Sequence, residues 1–161
     1  MSVNRGKQFE DVIRESFEKV PGVSIDRLHD QTTHYKGSTN ICDFIVYREP
    51  YEYYFECKSV HGNTLPFSNI TNTQWQGLLE KSRIEGVFAG VICWWVDKDV
   101  TAFIPIQLLN ELRNGNHRSV NVKYIDNFMY ELDGLIKIKG KKKRVFFEYD
   151  MESFLNEVGG N

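Results

Sequence analysis

Residues 43 to 58 constrain the fold more than any other stretch of the chain. Asp43-Phe44-Ile45-Val46-Tyr47 and Tyr53-Tyr54-Phe55-Glu56-Cys57-Lys58 are two runs rich in aromatic and β-branched residues, and Pro50 lies between them. Such runs around a proline turn predict a β-hairpin with a loop of roughly five to six residues. Side chains of a strand alternate between its two faces. Glu56 and Lys58 should therefore share one face, and Phe55 and Cys57 should enter a core on the other. Asp43 opens the first strand, where pairing can set it beside Glu56.

Two carboxylates and an ammonium on one sheet surface match the layout of a hydrolytic metal site, with oxygen ligands for a hard cation and a lysine beside the attacked phosphate. Two bare carboxylates about 4 Å apart repel by roughly 4 kcal/mol at an effective dielectric of ~20, which a bound cation offsets. The plainer alternative is a solvated strand edge with an ordinary Glu–Lys pair.

The chain of 161 residues suits one compact domain spanning residues 1–161, and with 41 % hydrophobic and 14 % aromatic residues it is globular rather than disordered. No apolar run approaches the roughly 20 residues of a membrane span, and Met1 to Gly6 contain no apolar leader core, so a cytoplasmic protein without a membrane partner is expected. Cys42, Cys57 and Cys93 sit singly in strand-like surroundings, as reduced core thiols rather than a zinc or disulfide framework. Net charge is −2, so any nucleic-acid contact must come from local basic patches rather than a bulk positive field.

Asn4 to Val20 reads as a helix on the spacing of Phe9, Val12, Ile13, Phe17 and Val20, ended by Pro21-Gly22. Glu10, at the edge of that apolar stripe, faces solvent or leans toward Asp43 and Glu56. Val23 to Leu28 predicts a strand. His29 to Asn40 predicts a polar surface loop, holding His29, His34 and Lys36. After the hairpin, His61 to Phe67 reads as loop and Asn69 to Glu85 as a helix capped by Thr71 or Asn72, with Trp75, Leu78 and Leu79 on one face. Gln74 falls in its first turn, near the amide-rich end, or is simply exposed. Val87 to Val96 predicts a strand buried on both faces. Thr101 to Ile106 predicts another strand, Gln107 to Arg113 a short helix, and Val120 to Ile125 an edge strand. Leu135 to Ile138 and Val145 to Tyr149 bracket Lys139 to Arg144 as a hairpin with a basic tip. Asp150 caps a last helix from Met151 to Val158. The basic tip is either a solvated edge that discourages aggregation or a grip on phosphates.

The order of Glu10 on a helix, Asp43 on a strand, Glu56-Cys57-Lys58 on the next strand and Gln74 on the following helix resembles the PD-(D/E)xK nuclease superfamily. Asn4-Arg5-Gly6 before Glu10, the Asp43-to-Glu56 spacing, Asn63 to Phe67, His117 to Val120 and Tyr149 to Leu155 are similar to the RecU-type Holliday junction resolvases of bacteria and their phages. The loop from about residue 29 to 40 is short where those enzymes carry a long stalk, which marks a phage or bacterial member with a shortened stalk. The resemblance implies an α/β, restriction-endonuclease-like fold, a central mixed β-sheet flanked by helices. It implies an Mg²⁺-dependent endonuclease, with Mn²⁺ as a substitute, that resolves four-way junctions in recombination and repair. Asp43, Glu56 and the Cys57 carbonyl would hold the metal, with Glu10 helping directly or through water. Lys58 would orient the attacking water or neutralise developing charge, and Gln74 would position a water or phosphate. Arg5, Lys36, Lys141, Lys142, Lys143 and Arg144 would hold the DNA backbone. The implied partners are branched DNA, a second copy of the chain in a homodimer, and host recombination proteins. The alternatives are a related nuclease acting on other DNA structures or ends, and a non-catalytic DNA-binding module on the same fold.

Overall fold

The computed structural model describes residues 4–28, 40–126 and 134–159. The first helix, α1 (Arg5–Glu18), begins where the Asn4 side chain accepts from the Lys7 amide, and it buries Phe9, Ile13 and Phe17. Next come β1 (Ser24–Arg27), β2 (Phe44–Arg48) and β3 (Tyr51–Val60). The hairpin between β2 and β3 is tighter than the sequence suggests: Arg48 pairs directly with Tyr51, so the turn is only Glu49-Pro50, with a cis peptide bond. Strand β4 (Thr64–Pro66), a 3-10 turn at Phe67–Asn69 and helix α2 (Asn72–Ser82) follow. The chain continues through β5 (Val87–Trp95), β6 (Val100–Pro105), α3 (Ile106–Asn114), β7 (Ser119–Asn121) and the single turn α4 (Lys123–Asp126). It ends with β8 (Ile136–Lys137), β9 (Gly140–Lys142), β10 (Phe147–Tyr149) and α5 (Met151–Val158).

The main sheet has six strands in the order β1-β2-β3-β5-β6-β8. Strands β3 and β5 run parallel and the other neighbours are antiparallel, so the sheet is mixed, as expected. Helices cover both faces. Phe9, Ile13 and Phe17 of α1 and Met151, Phe154 and Leu155 of α5 pack with Tyr53, Phe55 and Cys57 on one side. Trp75, Leu78 and Leu79 of α2 and Ile106, Leu108 and Leu109 of α3 pack with Tyr54, Val91 and Cys93 on the other. This double cover explains why β5 reads as an unbroken apolar run. It also explains why Tyr53 to Cys57 are buried without alternation.

Three expectations are corrected. Thr64–Pro66 is not loop but a strand pairing with β7 in a separate two-stranded ribbon. The edge strand expected over Val120 to Ile125 stops at Asn121, whose Oδ1 accepts from the Lys123 amide at 3.0 Å and starts α4. The two apolar runs around the lysine cluster do not pair with each other: Ile136 and Lys137 join β6 at the edge of the main sheet, while Gly140–Lys142 pairs with Phe147–Tyr149. Lys141 and Lys142 thus lie on a strand, and only Lys143 and Arg144 lie in the turn. Two of the cations are partnered, Lys142 with Asp99 and Lys143 with Glu148.

One close approach fixes the entry to β2. A Cβ on Gly77 of α2 would fall 2.2 Å from Ile41 Cγ2, so the missing side chain lets Ile41 seat directly on the helix. That contact anchors the segment leading to Asp43.

Candidate active site

Parallel pairing of β3 with β5 and antiparallel pairing of β2 with β3 bring the start of β2 and the end of β3 to the same end of the sheet. Asp43 immediately precedes β2, and its Oδ2 accepts from the Cys57 backbone N–H at 2.8 Å. Asp43 lies close enough to Glu56 for its carboxyl group to raise the Glu56 pKa. The Glu56 side chain is only 3 % exposed. Lys58 Nζ lies 3.6 Å from Glu56 Oε2. The sequence-predicted trio therefore converges, as the two-residue strand period requires.

Gln74 reaches the same carboxyl group. Its Nε2 donates to Glu56 Oε2 at 2.7 Å. Its Oε1 accepts from the Thr71 backbone N–H at 3.0 Å, and Thr71 Oγ1 accepts from the Gln74 N–H at 3.2 Å. This reciprocal pair is a capping box. Thr71 is the N-cap, and the box clamps the Gln74 amide in one rotamer aimed at Glu56. The Thr71-x-x-Gln74 spacing is a readable signal of that clamp, whereas the reach to Glu56 depends on how α2 packs on the sheet.

Glu10 stands on the other helical layer. Its Oε2 lies 2.6 Å from Arg27 Nη2, and Asp11 Oδ1 lies 2.7 Å from Arg27 Nη1. Arg27 also lies over the Phe44 ring, beside the entry to β2. No local pattern marks Arg27 in the sequence, because its partners come from a helix 16 and 17 residues earlier. Among the described residues, no group of three or more His, Cys, Asp or Glu side chains closes into a ready-made metal cage. Glu10 contributes its field to Glu56 while bound to Arg27.

Burial first, then the hydrogen bond and charge of Asp43, push the Glu56 carboxyl up to about 9, against the pull of Lys58. The upward shift shows that this site favours a proton on Glu56 over a second bare negative charge. A cation can take the place of that proton. Burial, with Glu56 and Asp43 adding, pushes the Cys42 thiol up to about 12 and holds Cys57 well above its usual range. All three cysteines are free and buried. The thiols stay protonated, so the donors offered here are hard oxygens. That donor set fits Mg²⁺ or Mn²⁺ and disfavours soft metals.

Arg5 begins α1 with its guanidinium over the ring of Phe146, in the turn of the β9–β10 hairpin. Lys36, His29 and His34 lie outside the described residues. A cavity of about 450 Å³ opens at the far end of the sheet, lined by Phe88, Pro105, Gln107 and Glu157 among others. It contains none of the converging polar groups, which sit instead at an open end of the sheet.

No protein-family model matches the chain. No curated protein matches it either. Among solved structures, the chain is similar to Hjc, a Holliday junction resolvase from the archaeal hyperthermophile Archaeoglobus fulgidus. The identity is 20 % and the TM-score 0.46, over 64 % of this chain and 78 % of that one. No helix among the described residues is long and apolar enough to cross a membrane.

Proposed function

We propose that this chain is a metal-dependent, structure-selective DNA endonuclease of restriction-endonuclease-like fold, acting on four-way junctions as a homodimer in the cytoplasm. The carrying observation is half-buried Asp43 beside buried Glu56, with Lys58 Nζ 3.6 Å from Glu56 and the Gln74 amide 2.7 Å from it. Two acids crowded together with one of them buried, beside an ammonium, serve hydrolysis of a phosphodiester better than they serve stability. Replacing a buried charged cluster by apolar residues is often neutral or stabilising.

Asp43, Glu56 and the Cys57 carbonyl would hold Mg²⁺, with Mn²⁺ as a substitute and Glu10 at the rim. When bound, the ion supplies Lewis-acid stabilisation of phosphate charge and a more acidic water. Lys58 places positive charge where a scissile phosphate gains negative charge, a contribution made mainly in the transition state. Gln74 holds the Glu56 carboxyl in a fixed orientation rather than meeting the phosphate itself, because both ends of its amide are already engaged. Arg27 holds Glu10 in the same manner. Arg5 and the β9–β10 hairpin supply backbone contacts that carry register rather than sequence. A C2 pair of such sites suits a substrate cut on two symmetry-related strands.

The shortness of the chain between β1 and β2 favours a second reading, in which other branched or broken DNA is cut. One assay decides between them. Synthetic four-way junctions and linear duplex of the same sequence are incubated with the protein in Mg²⁺ and in EDTA. The proposal expects junction cutting in Mg²⁺ alone. Equal cutting of duplex moves the activity to the second reading. No cutting in either metal condition removes the enzyme.

A further inference from the structure

Both small ribbons lie beyond the same end of the main sheet. Strand β4 starts four residues after β3 ends, and Gly62 between them donates to Asp97 Oδ2 at 2.7 Å, in the turn that ends β5. The β9–β10 ribbon is tied to that same turn region by the Lys142–Asp99 pair. It is also tied to the start of β6 by the bond between Tyr149 OH and Thr101 Oγ1. The parallel pair β3–β5 thus ends between two ribbons, one on the α1 side and one on the α2 side, with Glu56 and Lys58 near the end of β3. Ligands of open α/β sheets collect at the carboxyl ends of parallel strands.

The sequence points to cations on one ribbon only. The other carries its own. His117 and Arg118 lead into β7, Lys123 opens α4, and all three are exposed. The Arg118 carbonyl accepts from the Phe67 amide at 2.9 Å, and the Val122 amide donates to the Asn63 carbonyl at 2.8 Å, so this backbone is fixed to both ends of β4. Nearby Arg113 lies 3.9 Å over the Trp75 ring and bonds to Asn110, so its cation serves packing. By contrast, Arg118 and Lys123 have no acidic partner among the described residues, unlike Lys142 and Lys143; Lys123 Nζ lies 5.5 Å from the ring centre of its neighbour Tyr124, an exposed contact that leaves its charge available.

We propose that the β4–β7 ribbon is a second phosphate-gripping surface, so that nucleic acid lies across the sheet end from the β9–β10 hairpin over Lys58 to Arg118 and Lys123. This rests on the nuclease reading and extends it by naming the second set of cations that hold the backbone. Two anchored ribbons on either side of the acids fix the strand in register, which phosphate contacts do without reading bases. Cations outside an ion pair contribute more to binding than paired ones, because no ion pair has to open first.

The test measures binding of a labelled junction to the full chain in EDTA, as a function of salt. Arg118→Ala with Lys123→Ala should lower the slope of log affinity against log salt by up to about 1.8, at ~0.9 for each phosphate no longer neutralised. Arg118→Lys should keep the slope, which separates a missing charge from a damaged fold. Arg83→Ala, exposed at the opposite end of α2, should leave it unchanged. An unaltered slope in the double variant, with the Lys141, Lys142, Lys143 triple alanine still flattening it, overturns this inference and leaves the nuclease reading standing. Absence of DNA binding by the wild type overturns both.

Discussion

Replacing Gln74 by Ala tests the clamp on Glu56 without touching either acid. Two interactions disappear. The 2.7 Å bond to a buried carboxyl group is worth about 1.5–3 kcal/mol where one partner is charged and about 1 where both are neutral. The Gln74 half of the capping box adds about 0.5 kcal/mol. The expected loss is about 1.5–3.5 kcal/mol, a fall in Tm of roughly 3–14 °C for a chain of this size. Thermal unfolding in EDTA measures it. Gln76→Ala, exposed on the same helix, should shift stability by less than about 0.5 kcal/mol. Gln74→Glu separates the two roles, because Glu also completes a capping box but sets a third carboxyl group against Glu56. That variant should be destabilised in EDTA and recover in millimolar Mg²⁺. If Gln74→Ala costs no more than Gln76→Ala, the amide does not clamp Glu56 and the orienting role fails.

Three further outcomes are expected. Millimolar Mg²⁺ or Mn²⁺ should raise Tm, a ligand at ~100 times its Kd adding about 2.7 kcal/mol; Asp43→Asn should lose most of that shift, and an equal shift in both proteins sinks the metal assignment. Lys58→Ala should abolish cutting while junction affinity, measured by gel shift in EDTA, stays largely intact; a common fall in both makes Lys58 a DNA-holding residue. Gly77→Ala should lower stability by about 1–3 kcal/mol in thermal unfolding despite the better helix propensity of Ala, because its Cβ displaces Ile41; the metal-induced shift should shrink with it, and an unchanged shift separates Ile41 from Asp43.

The strand pair around Pro50, the helices α1, α2, α3 and α5 and the buried β5 were legible because each is set by local periodicity, whereas the single turn α4 was read as strand. The convergence of Asp43, Glu56 and Lys58 was legible for the same reason: a strand period of two and one hairpin suffice to place them. What escaped depends on partners distant in sequence. Thr64–Pro66 is a strand only because Ser119–Asn121 lies beside it, and three residues ending in proline carry no strand signal of their own. Ile136 is apolar enough to pair with any strand, and only the exposed edge of β6 selects it. Glu10 sits at a stripe edge where periodicity allows either face, and Arg27 decides the matter from β1. The lysine cluster looked like one tip because charge density shows no register; its division between strand and turn follows from the Phe147–Lys142 pairing.

If Asp43 and Glu56 hold one metal between them for DNA cutting, neither can be replaced by its amide. Cutting of a four-way junction by the wild type, Asp43→Asn and Glu56→Gln in Mg²⁺, each shown by gel shift in EDTA to bind the junction, tests it most directly. Cutting is expected from the wild type alone, with both variants inactive while still bound. Cutting by either variant at the wild-type rate, or by the wild type in EDTA, contradicts it.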